Sequence, residues 1–191
     1  MMGVADTCFL IDWARFSQRD LLFELFELVL VPEQVLAEVR SESTLLWLSR
    51  QLGRRRLQLL TPLPRQLEEA YRIVRASYAI HGLRRLDLPE AICLVVGREH
   101  GYVVLTENRG ALMIREVLPE LSDVVVWRAL EVLRELLLRQ HVSARSEEEV
   151  RALFRRYEEE TLHIFPRDEL EAVVEEVLRS ARGRGARGAE A

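Results

Sequence analysis

The stretch VVLTENRGALMIREVLPELSDVVV, residues 103–126, decides the fold class of this chain. It begins and ends with β-branched runs at Val103–Leu105 and at residues 124–126, and each run predicts a strand. Between them, the apolar residues of 111–117 recur at helical spacing. A strand, a helix and a second strand in this order are typical of a parallel sheet whose helices connect its strands.

The residues before this stretch repeat the same alternation. The helix predicted over 91–96 is apolar on every side, so we expect it to be buried. Leu67, Tyr71, Val74 and Tyr78 recur at helical spacing and predict an amphipathic helix over 65–80. We further predict strands at 3–5, 28–31 and 57–60 and helices at 32–40 and 44–52, with helical character at 21–28. The predicted fold class is α/β, a parallel sheet sandwiched by helices.

The strand pattern stops after Trp127. Three helices are predicted beyond it, and Ser146 with Glu149 three residues later forms a capping box at the start of the second. The Gly, Arg and Ala residues near the end of the chain predict a flexible tail. The predicted organisation is an α/β domain at 1–127, a helical extension at 128–179 and a Gly/Arg tail at 180–191.

Composition excludes several classes of chemistry. All 27 basic residues are arginine, so Schiff-base lysines and P-loop lysines are impossible. A net charge of −4 argues against a polycation that coats nucleic acid or membrane. Two cysteines make no disulfide framework, and no apolar run approaches the ~18 residues of a membrane span. With Asp6 and Asp12 interrupting the first apolar stretch, we expect a cytoplasmic protein without a signal peptide or membrane segment.

Two motifs carry no function. The segment GRGARG, residues 183–188, matches the dinucleotide fingerprint G-x-G-x-x-G, but no strand precedes it and no helix is predicted after it. The four histidines lack the spacing of a metal site. A Rossmann cofactor and a histidine-bound metal are therefore not expected.

Acidic residues follow two of the predicted strands directly. Asp6 ends the first strand within VADTCFLI, residues 4–11, and Glu107 follows the strand Val103–Leu105 and Thr106. Ligands of open parallel sheets bind outside the carboxyl ends of the strands. An Asp among apolar neighbours is costly without a partner, which favours a functional role over that of a helix-capping residue.

Two further acids have ordinary structural interpretations. Glu38 lies on the predicted helix at 32–40 and by itself is an exposed surface glutamate. Glu90 lies three residues after Asp87, with Pro89 between them, which is the spacing of an N-cap and its N3 partner. Only the combination of these acids with Asp6 and Glu107 favours a site.

Four segments together resemble the PIN-domain superfamily, and especially its prokaryotic toxin-like members. They occur in the family's order over about residues 1–127. The segments are VADTCFLI at 4–11, VPEQVLAEV at 31–39, LDLPEAI at 86–92 and VVLTENR at 103–109.

The resemblance implies an endoribonuclease that cleaves single-stranded RNA with Mg²⁺ or Mn²⁺ held by acidic residues. It also implies the toxin half of a toxin–antitoxin pair, an antitoxin protein as partner, and a homodimer. Asp6 would be the first metal ligand with Thr7 as its hydroxyl neighbour, Glu38 the second acid, and Glu90 the third. Oxygen ligands without histidine suit such hard cations.

The fourth acidic position departs from the family's pattern. The family often has an Asp two residues after the Thr, where this chain has Asn108. Either Glu107 substitutes from the adjacent position as a catalytic and metal-binding acid, or Asn108 acts as a neutral ligand. The departure also motivates an alternative function, a catalytically degenerate PIN fold that serves as a binding or assembly module.

Arginines near these acids are candidates for RNA binding. Arg84 and Arg85 precede Asp87, and Arg109 follows Asn108. Arginine binds phosphate in a bidentate manner and stacks on unpaired bases, as single-stranded RNA requires.

Overall fold

A five-stranded, all-parallel sheet forms the centre of the computed structural model, which describes residues 1–144 and 146–188. Helices flank this sheet, so the predicted α/β fold class is confirmed. The strands are β1 (Met2–Ala5), β2 (Leu28–Pro32), β3 (Leu57–Leu60), β4 (Val103–Leu105) and β5 (Val126–Trp127).

The strand order is β3-β2-β1-β4-β5. The chain therefore builds outward from β1 to β2 and β3, and then crosses to the other side of β1 to form β4. Gly3 in β1 pairs with Val29 on one side and with Val103 on the other. The order reverses between β1 and β4, and this reversal is the topological switch point at which open α/β sheets bind ligands.

The helices connect the strands and extend the chain beyond them. They are α1 (Thr7–Arg15), α2 (Leu22–Leu25), α3 (Glu33–Glu38), α4 (Glu42–Gly53), α5 (Pro64–Ala79), α6 (Leu88–His100), α7 (Arg109–Val117), α8 (Ala129–Leu138), α9 (Glu147–Thr161) and α10 (Arg167–Gly188). Within the described residues, no helix is both long enough and apolar enough to cross a membrane.

Helix α6 is the central helix of the first compact unit, which comprises Met1–Ala14 and Phe26–Ala129. It packs against β1, β2 and β4, and all of its residues from 89 to 97 are buried, as predicted for its apolar stretch. Gly97 lets the helix approach β4 closely, because a Cβ at this position would collide with the Val104 side chain. Gly101 ends the helix in the left-handed region, with φ of 66°.

Two features of this unit differ from the sequence prediction. Helix α1 was not predicted, because the apolar run after Asp6 hides the helical spacing of Phe9, Leu10 and Trp13, which are all buried. The apolar residues that define the spacing of α5 are not buried in the core: Leu67 and Val74 are partly buried, and Tyr71 and Tyr78 are half exposed. The buried residues of α5 are Gln66, Ala70, Ile73 and Ser77. Ala70 and Ser77 are small, which permits the close packing of α5 on α6.

The second compact unit contains Arg15–Leu25 and the described residues from Leu130 on. The prediction that residues 1–127 form one continuous domain is therefore wrong at 15–25. Phe16 packs on Tyr157 of α9 at a ring-centroid distance of 5.2 Å, and the backbone N–H of Ser17 donates to Glu160. These contacts tie the early segment to the helical extension, which the sequence places at 128–179.

The end of the chain also differs from its prediction. Helix α10 continues to Gly188, so residues 180–188 of the predicted flexible tail are helical. Residues 189–191 of that tail lie outside the described residues.

We expect Gly97→Ala to lower the free energy of unfolding by about 1–3 kcal/mol, because the added methyl group forces α6 away from Val104. Gly53→Ala is the matched control, since a Cβ there meets nothing within 4 Å, and it should be neutral or stabilising by up to about 1 kcal/mol. Urea unfolding of both variants measures the difference. Equal effects of the two substitutions would contradict the close approach.

Candidate metal centre

Two carboxyl groups meet at the switch point between β1 and β4. Asp6 directly follows β1, and its backbone N–H donates to the Leu105 carbonyl oxygen at 3.0 Å. This bond extends the strand pairing by one residue and fixes Asp6 at the carboxyl edge of the sheet. Glu90 approaches the same edge from the first turn of α6.

Asp6 is fully buried and held by two donors. Its Oδ1 accepts a hydrogen bond from the Phe9 backbone N–H at 2.8 Å, and its Oδ2 accepts a short hydrogen bond from the Thr106 hydroxyl. The first bond caps α1, so the capping interpretation of Asp6 is part of its role. The second bond ties Asp6 to the residue that follows β4.

Burial raises the pKa of Asp6 from 3.8 to about 8, with smaller contributions from the charges of Glu90 and Glu107. The hydrogen bonds from Thr106 and Phe9 lower this pKa but only in part offset the burial. Near neutral pH, Asp6 is therefore protonated for much of the time unless a cation stabilises its charged form.

Glu90 is the second buried acid, with only 7% of its surface exposed. Its Oε1 accepts a hydrogen bond from the Asn108 side-chain amide at 3.3 Å. Its Oε2 is buried and has no hydrogen-bond partner among the described residues. Burial is also the main cause that raises the pKa of Glu90.

The capping interpretation of Glu90 does not account for this geometry. Asp87 stands at the N-cap position of α6, but its side chain makes no capping hydrogen bond. Glu90 instead points its carboxyl group toward Asp6. The ligand atoms of Asp6, Cys8 and Glu90 all lie within 4.8 Å of one another.

Cys8 is a member of this group that the sequence did not reveal. Cysteines are recognised in a sequence by disulfide or zinc-site spacing, and a single cysteine two residues after Asp6 has neither. Partial desolvation and the charges of Asp6 and Glu90 raise the pKa of the Cys8 thiol to about 12. The thiol is therefore neutral, which makes it a poor ligand because thiolate is the metal-binding form.

Glu38 and Thr7 meet at the rim of the site. Glu38 is the last residue of α3 and is exposed, and its Oε2 accepts a hydrogen bond from the Thr7 hydroxyl at 2.7 Å. Thr7 is the first residue of α1 and directly follows Asp6. The structure therefore brings Glu38 beside the buried acids, although it lies outside the group of three.

Asn108, and not Glu107, faces the buried acids. Its side-chain amide donates to Glu90, its backbone N–H donates to the Thr106 hydroxyl at 3.0 Å, and its side-chain oxygen caps α7 through Gly110. The Glu107 Oε1 instead accepts a hydrogen bond from the backbone N–H of Ala129 at 2.7 Å. One Glu107 carboxylate oxygen is thus held at the start of α8, while the charge of Glu107 still contributes to the raised pKa of Asp6. Glu107 as a metal ligand stays a prediction.

The three candidate RNA-binding arginines are exposed on one side of this site. Arg109 is the first residue of α7 and follows Asn108. The Arg84 carbonyl oxygen lies 2.7 Å from where a Gly110 Cβ would stand, so the segment that carries Arg84 packs against the start of α7. The Arg85 guanidinium lies over the Tyr78 ring, 4.8 Å from its centroid.

The donor set fits a hard divalent cation. Asp6 and Glu90 supply carboxylate oxygens, and one oxygen of Glu90 has no hydrogen-bond partner in the described part of the chain. Asn108 presents an amide beside them. Helices α1 and α6 also begin at this edge, and helix N-termini favour negative charge.

No protein-family model matches the chain, and no curated protein matches its sequence.

Without added metal, we expect the free energy of unfolding to fall as the pH rises from about 4 to about 8. The folded state keeps the Asp6 proton up to a pKa of about 8, whereas the unfolded chain loses it near 3.8, so the stabilisation is complete at low pH and lost as the pH passes 8. The slope from one proton is at most about 1.4 kcal/mol per pH unit.

Asp6→Asn should flatten this dependence and should be stabilising relative to the wild type at pH 8. Asp123→Asn, which removes an exposed carboxylate of the same unit, controls for the loss of one charge. Urea unfolding in EDTA at several pH values measures the effect. Parallel curves for the wild type and Asp6→Asn would contradict the buried, protonated acid.

Proposed function

We propose that this protein is a Mg²⁺- or Mn²⁺-dependent endoribonuclease that hydrolyses single-stranded RNA. The observation that carries the proposal is the pairing of two buried acids, Asp6 and Glu90, at the switch point of a parallel sheet, with the Glu90 Oε2 lacking a hydrogen-bond partner among the described residues. Buried polar atoms are nearly always paired, so an unpartnered carboxylate oxygen beside a second buried acid supports a role in holding a cation.

A cation at this position offsets the cost of the arrangement. Two adjacent carboxyl groups in a desolvated site repel each other when both are charged. A divalent ion held by Asp6 and Glu90 would stabilise the charged forms of both. When bound, the ion supplies Lewis-acid polarisation of a phosphoryl oxygen.

The remaining residues of the site have distinct proposed roles. Thr106 orients Asp6 through its hydroxyl, and Asn108 orients Glu90 through its amide. Glu38, which is exposed beside Thr7, accepts the proton of the water that attacks phosphorus. Arg84, Arg85 and Arg109 bind the RNA backbone, since arginine matches phosphate geometry.

The resemblance to PIN-domain toxins adds a biological setting. A toxin–antitoxin role, an antitoxin partner, a homodimer and a cytoplasmic location stay predictions.

Cleavage of a labelled single-stranded RNA tests the proposal. We expect cleavage with Mn²⁺ or Mg²⁺ and none in EDTA. Asp6→Asn and Glu90→Gln should each reduce the rate by at least about 100-fold, since the loss of an outer-shell partner alone costs about 10–100-fold. The same two variants should lose Mn²⁺ binding in calorimetric titrations.

Cys8→Ala is the matched control, because Cys8 belongs to the same group of three but offers sulfur. It should keep both Mn²⁺ binding and cleavage, since hard cations prefer oxygen ligands. Equal cleavage by the wild type and Asp6→Asn would refute the proposal. Metal binding that depends on Cys8 would instead indicate a thiophilic ion.

Separate substitutions of Asn108 and Glu107, the two candidates for the fourth acidic position, give a further prediction. Asn108→Asp places a carboxylate beside Glu90, so we expect tighter Mn²⁺ binding, by about 10-fold or more. Glu107→Gln should leave Mn²⁺ binding unchanged within about 2-fold, because its carboxylate faces Ala129. Calorimetric titration of both variants measures the contrast, and a larger loss in Glu107→Gln would support Glu107 as a ligand.

A second candidate function, a non-catalytic binding or assembly module, is favoured by one observation. The amide of Asn108 donates to Glu90, which satisfies one acid oxygen without metal. The two functions differ in calorimetry, because the module predicts no Mn²⁺ binding at millimolar metal.

A further inference from the structure

We propose that Tyr78 and Arg85 form a subsite that stacks an unpaired base of the single-stranded RNA, beside the candidate metal centre. This inference rests on the proposed function and adds to it the place where the substrate is held. Its experiment is independent of metal and of cleavage, so the two can fail separately.

The first supporting observation is a stacked pair at the surface. Tyr78 is 55% exposed at the end of α5, and the Arg85 guanidinium lies 4.8 Å from its ring centroid. Aromatic rings and arginine planes are the surfaces on which proteins stack single-stranded bases, at sites that are otherwise cationic. A planar cation on an aromatic ring forms a short stack that a base extends.

The second observation is that the loop after α5 has an anchor besides this pair. The loop after α5 is already fixed by the Leu86 backbone N–H, which donates to the Ser77 hydroxyl at 3.1 Å, and by the fully buried Leu86 side chain. Removal of the Tyr78 ring therefore leaves the anchor in place. The exposed stack is available for a ligand.

The third observation is charge. Among the described residues, no ion pair forms with the arginines near this stack, which are Arg75, Arg84, Arg85 and Arg109. Arg75 precedes Tyr78 by one helical turn and adds to the positive charge around it. Unpaired arginines around an aromatic ring attract a polyanion and distinguish this patch from an ordinary apolar surface.

Tyr71 on the same helix shows the contrast. It is 50% exposed, and its neighbour Arg72 is engaged with Glu69 at 3.0 Å and with Glu120 at 3.5 Å. Arg75 lies one helical turn from Tyr71 as it does from Tyr78, so the difference between the two rings is the guanidinium of Arg85, which lies over Tyr78. Tyr71 thus offers a similarly exposed ring on the same helix without that stacked guanidinium.

The fourth observation is the path from the stack to the acids. The Arg84 carbonyl packs against Gly110, which binds the Asn108 side chain, and Asn108 in turn binds Glu90. Glu90 is five positions after Arg85, so their Cα atoms are at most about 18 Å apart. A strand held at the Tyr78–Arg85 stack reaches the metal centre within a few nucleotides.

Binding of a fluorescein-labelled oligouridine RNA of about ten nucleotides, measured by anisotropy in EDTA, tests the subsite. We expect Tyr78→Ala to weaken binding by about 5- to 150-fold, which is the range for loss of one base-stacking side chain. Tyr78→Phe should bind within about 2-fold of the wild type, since it keeps the aromatic face. Tyr71→Ala, the matched control, should also stay within about 2-fold.

Two further readouts separate stacking from simple charge attraction. Tyr78→Ala should leave the salt dependence of binding unchanged, whereas Arg84→Gln should reduce it. An abasic oligonucleotide of the same length should bind more weakly and should show no loss on Tyr78→Ala. Thermal melts of the variants confirm that they fold.

Each contrary result is specific. Equal RNA binding by Tyr78→Ala and Tyr71→Ala, or no RNA binding by the wild type, overturns the subsite. An abasic strand that loses affinity on Tyr78→Ala as RNA does, or an acidic peptide that binds there as tightly as RNA, overturns base stacking. RNA binding that depends on Tyr78, without metal-dependent cleavage, would support the subsite and refute the nuclease function. Cleavage that depends on Asp6, with unchanged RNA binding by Tyr78→Ala, would support the nuclease function and refute the subsite.

Discussion

The pairing of β1 with β4 is the contact from which the candidate site derives. It brings the residue after each strand, Asp6 and Thr106, to one point, where the Thr106 hydroxyl donates to the Asp6 carboxyl group. The pairing requires α6 to pack closely across both strands, which Gly97 permits. Because the same helix carries Glu90 in its first turn, the packing that completes the core also places the second acid.

The burial of the two acids lowers the stability of the fold but serves the proposed function. Burial disfavours the charged forms of Asp6 and Glu90 and so raises the pKa of both. Their hydrogen bonds to Thr106 and Asn108 compensate only in part, and a buried polar atom without a partner ordinarily costs about 1–3 kcal/mol. Such strain is typical of functional sites, where local rules of folding are broken for the sake of chemistry. The core around the site is otherwise apolar and closely packed.

Much of this fold was predictable from the sequence, because strands β2, β3 and β4 and helix α6 have strong periodicity and clear ends. Asp6 and Glu90 were predictable for the same reason, since each follows or begins such an element. Other features depend on tertiary contacts that a linear pattern does not encode. The inner face of α5 follows from the small residues Ala70 and Ser77, although Tyr71 and Tyr78 are half exposed. The orientation of Glu107 follows from its hydrogen bond to Ala129 at the start of α8. The position of Cys8 beside Asp6 and Glu90 follows from the turn that begins α1.

The exposed end of α5 and the all-arginine composition are related in the proposed subsite. Tyr78 is half exposed and lies at the end of α5 nearest the acids. Lysine would supply the same charge there, but it has no planar group to lie on the ring as Arg85 does. The net charge of −4 is compatible with the proposed RNA binding, because a cation at the proposed site would neutralise Asp6 and Glu90, and Arg75 and Arg85 lie near the exposed ring of Tyr78. Local placement of charge, and not its sum, therefore decides what the surface attracts.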